Sequence, residues 1–382
     1  MKQLLSYLVL VICVTGLKAQ VEYHSIESEK LGQTRQLKIQ LPRNYGDNIE
    51  KTYPIILALD GDYLFEPISG LVDYNSYWEE MPDAIVVGVK QSETRSDDTY
   101  YDEDNFLPTE EGAEFFEFLG LEMMPWLDEN YRTANFRIVI GHDLTANFLN
   151  YYLFKDSTLF QGYISLSPEL APLMDERLVE RLSQIETKTF YYLATASEDI
   201  QILRDDIIAL NNKLKNVSNE NLRYAFDDFD GATHYSLVGR AIPKALEEIF
   251  SIYRPISKKE YKEVILKLDG SPYDYLVDKY TTVDELFGLK DKIRINDFVA
   301  VYTAIKKQEQ WEELENLGKL AKVHHPETLL GNYYLALFYE QTGHPKKALR
   351  LYQSAFLQEE VAGLTKDLML EKVDLIKADF GY

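Results

Sequence analysis

Gln36-Leu37-Lys38-Ile39-Gln40-Leu41 alternates polar and apolar positions, the period of a strand with one buried face. Later runs over 53–59, 84–89, 137–141, 162–166 and 189–194 are close to continuously apolar, and 222–226 is a candidate sixth. Runs of this kind predict central strands of a parallel sheet, covered on both faces. Helices are predicted between them, notably over 112–130, 145–155 and 199–215. Strand and helix thus alternate from residue 20 to about 254, which predicts an α/β, doubly wound, mostly parallel sheet.

After Arg254-Pro255 the strand runs stop, and 255–382 reads as an all-α extension. A period of 34 residues emerges when Gly343 is placed between two helices. Leu335, Ala336, Tyr339, Ala348, Tyr352 and Ala355 then occupy the packing positions of a helical hairpin. One period earlier stand Val301, Ile305, Leu314 and Ala321, with Pro326 where a repeat would end. The second copy resembles a tetratricopeptide unit. A plain helical bundle is the alternative, and both predict helical hairpins.

Charge narrows the partners. Lys plus Arg total 40 against 63 Asp plus Glu, a net charge of −23. A surface so negative argues against nucleic acid and anionic membranes, which need a basic footprint. Residues 1–19 read as a signal peptide: Lys2, an apolar run from Leu4 to Val14, then Lys18-Ala19 before Gln20. Export to a periplasm or the outside is therefore expected. The single cysteine, Cys13, lies inside this leader, so no disulfide, thiolate ligand or cysteine nucleophile is expected after cleavage. No later stretch is apolar enough to span a membrane.

The segment 136–148 carries the chemistry. A buried strand ends at Gly141, a helix is expected to start within a few residues, and the turn reads Gly141-His142-Asp143-Leu144-Thr145. This is the place of a nucleophile elbow, Gly-x-Ser-x-Gly, with Asp143 at the serine position and Thr145 at the second glycine. Other segments agree in order and spacing: Tyr53-Pro54 leading into Asp60-Gly61-Asp62, Arg95 with Asp97-Asp98 after the next strand, Tyr131-Arg132-Thr133, Tyr163 to Pro168, and the loop reaching His234. On these residues the chain resembles the esterase D and enterochelin-esterase group of α/β-hydrolases over about residues 22–254.

The resemblance implies carboxylic-ester hydrolysis, with His234 as general base and Glu198 or Asp199 as the acid that orients it. It also implies an oxyanion hole from the amide of Leu144 and one near Asp62-Tyr63. The serine is absent. A carboxylate attacking an ester carbonyl gives a mixed anhydride that reverts, whereas attack at a saturated carbon gives a stable alkyl ester. A carboxylate beside His234 would also favour imidazolium and weaken the base, and the branched Cβ of Thr145 is expected to crowd the elbow. Three readings follow: a non-catalytic protein binding an ester-like small molecule or, through its helical extension, a protein partner; a hydrolase using Asp143; or one using other residues, with Ser165 and Ser167 as substitutes.

Bland roles compete with each candidate. Asp143 is expected to cap the helix after it, His142 to support the elbow, and Ser165 and Ser167 to satisfy backbone groups. Asp97, Asp98, Asp102, Glu103 and Asp104 read as a solvated acidic loop in preference to a calcium site, as do Asp227, Asp228 and Asp230. His324-His325 reads as a surface pair. No Gly-x-Gly-x-x-Gly or phosphate loop occurs, and neither cofactor nor metal is expected.

Overall fold

The computed structural model describes residues 21–381. The expected leader with Cys13 and the start at Gln20 lie outside the described residues. The chain divides into two compact units. One runs to Ser251 and takes in Leu286–Gly288; the other comprises Ile252–Glu285 and the chain from Leu289 on.

The first unit is built on eight strands: β1 (Val21–Ser28), β2 (Gln33–Gln40), β3 (Tyr53–Ala58), β4 (Ile85–Val89), β5 (Thr133–His142), β6 (Gly162–Leu166), β7 (Thr189–Glu198) and β8 (Leu222–Thr233). Their order is β1-β2-β4-β3-β5-β6-β7-β8. β1 and β2 form an antiparallel hairpin, and β2 runs antiparallel to β4. Every pairing from β4 through β3 to β8 is parallel. This is a doubly wound α/β-hydrolase sheet. β3, β4 and β6 are buried at every position, as continuous apolar runs require.

β1 was not legible in the sequence. Only Ile26 and Ser28 of its eight residues are buried, so it lacks the alternation of a half-buried strand. The helices that pack on the sheet include α1 (Phe65–Tyr77), α2 (Glu110–Glu117), α3 (Leu144–Phe148), α4 (Met174–Gln184), α5 (Gln201–Leu214) and α6 (Val238–Ile249). α5 buries Leu203, Ile207, Leu210 and Leu214, one stripe at helical spacing. The helix expected over 112–130 is interrupted: α2 passes into a π-helical stretch, Phe118–Met123, before α-helix resumes over Met124–Asn130. The one expected over 145–155 is α3 followed by a 3-10 turn, Leu149–Phe154.

The two acidic clusters are largely exposed, as expected of solvated loops, since Asp97, Glu103, Asp104, Asp228 and Asp230 are open to solvent, but Asp98 differs. Asp98 is buried, and Arg35 donates to both its oxygens at 2.8 Å. Asp228 accepts two bonds from Arg204 at 2.8 and 2.7 Å, and Asp227 accepts from the Tyr192 hydroxyl at 2.7 Å. A buried carboxylate must be paired, and Asp98 has found its partner on a distant segment.

The second unit is helical. Its hairpins pair Ile295–Gln308 with Glu313–His324 and Leu330–Gln341 with Pro345–Ser354, and Lys366–Phe380 follows. Val301, Ile305, Leu314, Ala321, Ala336, Ala348, Tyr352 and Ala355 share one buried cluster. Gly343 turns the second hairpin at φ 78°, a conformation that costs glycine little. His324-His325 is not a surface pair. His325 is buried and donates from Nε2 to the carbonyl of Ile293 at 2.7 Å, while Nδ1 of His324 accepts from the Ile293 amide at 3.2 Å. The pair holds the chain that enters Ile295–Gln308.

Candidate active site

The parallel strands deliver their loops to one end of the sheet, where crevices form beside a topological switch point. β5 sits next to β3, and its last residue, His142, leads into the elbow. Asp143 has φ 62° and ψ −117°, a strained backbone that presents a side chain between strand and helix. The strain is held by hydrogen bonds. The Asp143 amide donates to Leu166 O at 3.0 Å, and its carbonyl accepts from Ala146, Asn147 and Glu169 at 3.1–3.2 Å. Gly141 is required because α3 doubles back: a Cβ there would lie 2.6 Å from the Thr145 carbonyl group.

Thr145 does not crowd the turn. It is fully buried, and its hydroxyl stands 2.7 Å from Asp60 Oδ2, 3.0 Å from the His142 carbonyl and 3.0 Å from the His142 amide, from which it accepts. The branched side chain fits because each of its polar contacts is met inside the elbow.

The Asp143 side chain does not cap the helix. Its Oδ2 accepts from Nη1 of Arg95 at 3.1 Å. Arg95 also grips Asp60, with Nε to Oδ1 at 2.7 Å and Nη2 to Oδ2 at 3.2 Å, and donates to the His142 carbonyl at 2.8 Å. Burial works against this guanidinium's charge, but the Asp60 carboxylate outweighs it and holds its pKa above the ordinary arginine value. Arg95 comes from the loop after β4, and Asp60 from the turn after β3.

His234 is placed by the loop after β8. Its Nδ1 donates to Asp199 Oδ1 at 2.8 Å. Asp199 also accepts from Ser167 at 2.7 Å, Thr195 at 2.8 Å and the Ile200 amide at 2.8 Å. Burial raises the Asp199 carboxyl, but the bonds from His234, Ser167 and Thr195 more than offset it and hold it at about 2. Glu198 is exposed and takes no part. Nε2 of His234 has no hydrogen-bond partner among the described residues. No hydrogen bond joins it to Asp143 among them.

His142 packs against His234 with ring centroids 4.4 Å apart. Nε2 of His142 is 3.1 Å from the His234 carbonyl, which can only accept, so Nε2 carries the proton. Nδ1 then accepts from the Tyr63 hydroxyl at 3.1 Å. Burial, then the neighbouring His234, pushes the His142 pKa down to about 4, so the ring is neutral at pH 7. Tyr63 holds one proton between His142 and Asp60 Oδ2, 3.0 Å away, and burial and then Asp60 raise its pKa.

The expected oxyanion donors are partly in use. The Tyr63 amide donates to the Asp60 carbonyl at 3.0 Å, which leaves the amide of Asp62. The Asp62 carboxylate is bound to the amides of Gln91 and Ser92 at 2.6 and 2.8 Å. Leu144 opens α3, and the first amides of a helix have no carbonyl within it. Of the substitute serines, Ser165 donates to the Ala146 carbonyl at 3.0 Å, the backbone role expected. Ser167 differs: it bridges Asp199 and Nδ1 of His234, on the side of the imidazole away from the free nitrogen. Sequence reasoning missed Asp60 and the pairing of Arg95 with Asp143. The Asp60-Gly61-Asp62 turn and Arg95 were visible, but not that they meet.

Sheet order, strained elbow and His–Asp pair define an α/β-hydrolase fold of the esterase kind. The Esterase family model, described as "Putative esterase", matches residues 28–230, and the chain belongs to that family. A solved structure of an uncharacterised protein from Capnocytophaga ochracea is similar at 32% identity, covering 94% of this chain and all of that one, with a TM-score of 0.87. An IroE-like serine hydrolase from Shewanella oneidensis is similar in fold at 20% identity, with 78% and 98% covered and a TM-score of 0.59. The BES protein from Bacillus cereus is likewise similar in fold at 23% identity, with 60% and 95% covered and a TM-score of 0.54. A search of curated proteins finds no match.

Proposed function

We propose that this is an exported esterase-family protein that has lost serine-type ester hydrolysis and binds an ester-like small molecule in the cleft at the elbow. The observation that carries the reading is the partnering of Asp143. Its carboxylate is held by Arg95, while the free nitrogen of His234 faces no nucleophile's proton. A triad needs a hydroxyl whose proton the imidazole takes as the oxygen attacks. Asp143 offers none, and the ion pair with Arg95 damps its own reactivity. The leader-like residues 1–19 support export to a periplasm or the outside. The helical hairpins after residue 254, with their tetratricopeptide-like positions, support a second role as a protein-binding surface.

A second reading keeps catalysis, with Asp143 as nucleophile and His234 activating the hydrolytic water. The intact Asp199–His234 pair at 2.8 Å favours it. The test is hydrolysis of a panel of aryl and short-chain acyl esters by the purified mature protein beside Asp143→Ser and His234→Ala. An inert wild type with activity gained by Asp143→Ser supports the binding reading. A wild type that turns over, and stops when either residue is changed, overturns it.

A further inference from the structure

Beside α2 lies a cavity of about 740 Å³ to which no residue of the His142–His234 constellation contributes. We propose that it binds a medium-chain carboxylate: an unbranched apolar body with one anionic head. The volume is that of a small-molecule site. Its walls are mostly carbon, with Glu117, Lys155, Asp156 and Ser157 as the polar side chains. The Phe116 and Tyr152 rings stack with centroids 4.1 Å apart. The Tyr152 hydroxyl donates to the Phe116 carbonyl at 2.8 Å and the Tyr151 hydroxyl to the Phe106 carbonyl at 3.1 Å, so both rings give the cavity their apolar surface. A body that carries hydrogen-bonding groups would lose water against the aromatic and aliphatic walls and find few partners there.

The π-helical stretch Phe118–Met123 contributes Gly120 and Leu121 to the same wall. π-turns inside helices recur at functional sites. Here the turn places a residue without a side chain at the cavity: a Cβ on Gly120 would meet only Leu159, at 3.8 Å.

The head group follows from charge. The Lys155 ammonium lies 5.1 Å from the centre of the Phe116 ring and has no carboxylate partner among the described residues. Arg181 fixes the segment that carries Lys155, donating to the carbonyls of Leu153 and Lys155 at 2.6 and 2.7 Å. Glu117, also at the lining, is already paired with Lys30 at 2.7 Å. Asp156 is the other acidic side chain at the lining, and among the described residues no ion pair joins it to Lys155. In a chain of net charge −23, this mouth is where a carboxylate finds uncommitted positive charge next to an apolar cavity.

The experiment is calorimetric titration of the full chain with decanoate and with 1-decanol, for wild type, Lys155→Gln, Gly120→Phe and Asp143→Asn. Decanoate is expected to saturate one site. Lys155→Gln should weaken decanoate about fivefold, the worth of one partly exposed ion pair, and leave decanol unchanged. Gly120→Phe should weaken both ligands by roughly tenfold or more with an unchanged circular dichroism spectrum. If that variant does not fold, Ala113→Leu fills the same cavity from α2. Asp143→Asn should change neither ligand. Absence of saturation, full binding after the cavity is filled, or equal effects of Lys155→Gln on acid and alcohol would overturn the proposal. So would a loss in Asp143→Asn matching that in Gly120→Phe, which would place the ligand at the elbow.

Discussion

Arg95 binds Asp60 and Asp143 at once, at 2.7 and 3.1 Å, and so ties the turn after β3 to the elbow after β5. The two partners are unequal. The Asp60 side chain is 2% exposed and that of Asp143 21%.

This inequality separates two substitutions. Arg95→Met leaves Asp60 a buried carboxylate with only the hydroxyls of Tyr63 and Thr145 as donors, and should cost about 3 kcal/mol in urea unfolding. Asp143→Asn removes one partly exposed ion pair and should cost less than about 1 kcal/mol. Equal losses would show that Arg95 is not anchored mainly by Asp60.

His142 gives the site a pH dependence. Its folded pKa of about 4 lies below the ordinary histidine value, so the unfolded chain binds the proton more readily. The contribution is fully present above about pH 6.5 and is lost as pH falls from there through about 4, amounting to about 3 kcal/mol at the acid end. Unfolding free energy measured from pH 7.5 down to 4 should fall with a steeper slope in wild type than in His142→Asn. An identical slope in the two proteins would contradict the assignment.

Gly141→Ala tests the elbow without touching a polar group. The added methyl would lie 2.6 Å from the Thr145 carbonyl group and must push α3 off the strand. A loss of about 3 kcal/mol is expected, the upper range for overpacking. A melting temperature equal to wild type would mean that strand and helix are not in contact as described.

The Arg35–Asp98 pair should behave as a buried ion pair, since the side chains are 4% and 3% exposed. Arg35→Met alone should cost about 3–5 kcal/mol by stranding Asp98, which burial already pushes above its ordinary pKa. Arg35→Met with Asp98→Leu should recover most of that loss. Additive losses in the double variant would show that the two residues act separately.

The elements legible in sequence are those whose burial is complete. β3, β4 and β6 are apolar throughout because both faces of the sheet are covered. β1 was not legible because it is an edge strand with six of its eight residues at least partly open to solvent. The break in the helix after α2 was not legible either. A π-turn shifts side chains by one position without changing which are apolar, and the sequence pattern reads straight through it.

The sequence by itself determined that a strand ends near Gly141, that Asp143 stands in the turn after it, and that His234 lies in a loop after the last strand run. Tertiary structure decided what those residues touch. Glu198 and Asp199 are neighbours in sequence, but Glu198 is still in the ladder opposite Thr233 and faces solvent, while Asp199 turns inward to His234. Successive side chains at a strand end point to opposite sides, and composition carries no record of which side holds the histidine. Arg95 and Asp143 lie 48 positions apart and belong to loops of different strands. They meet because parallel strands bring all such loops to one end of the sheet, a consequence of strand order that no local pattern encodes.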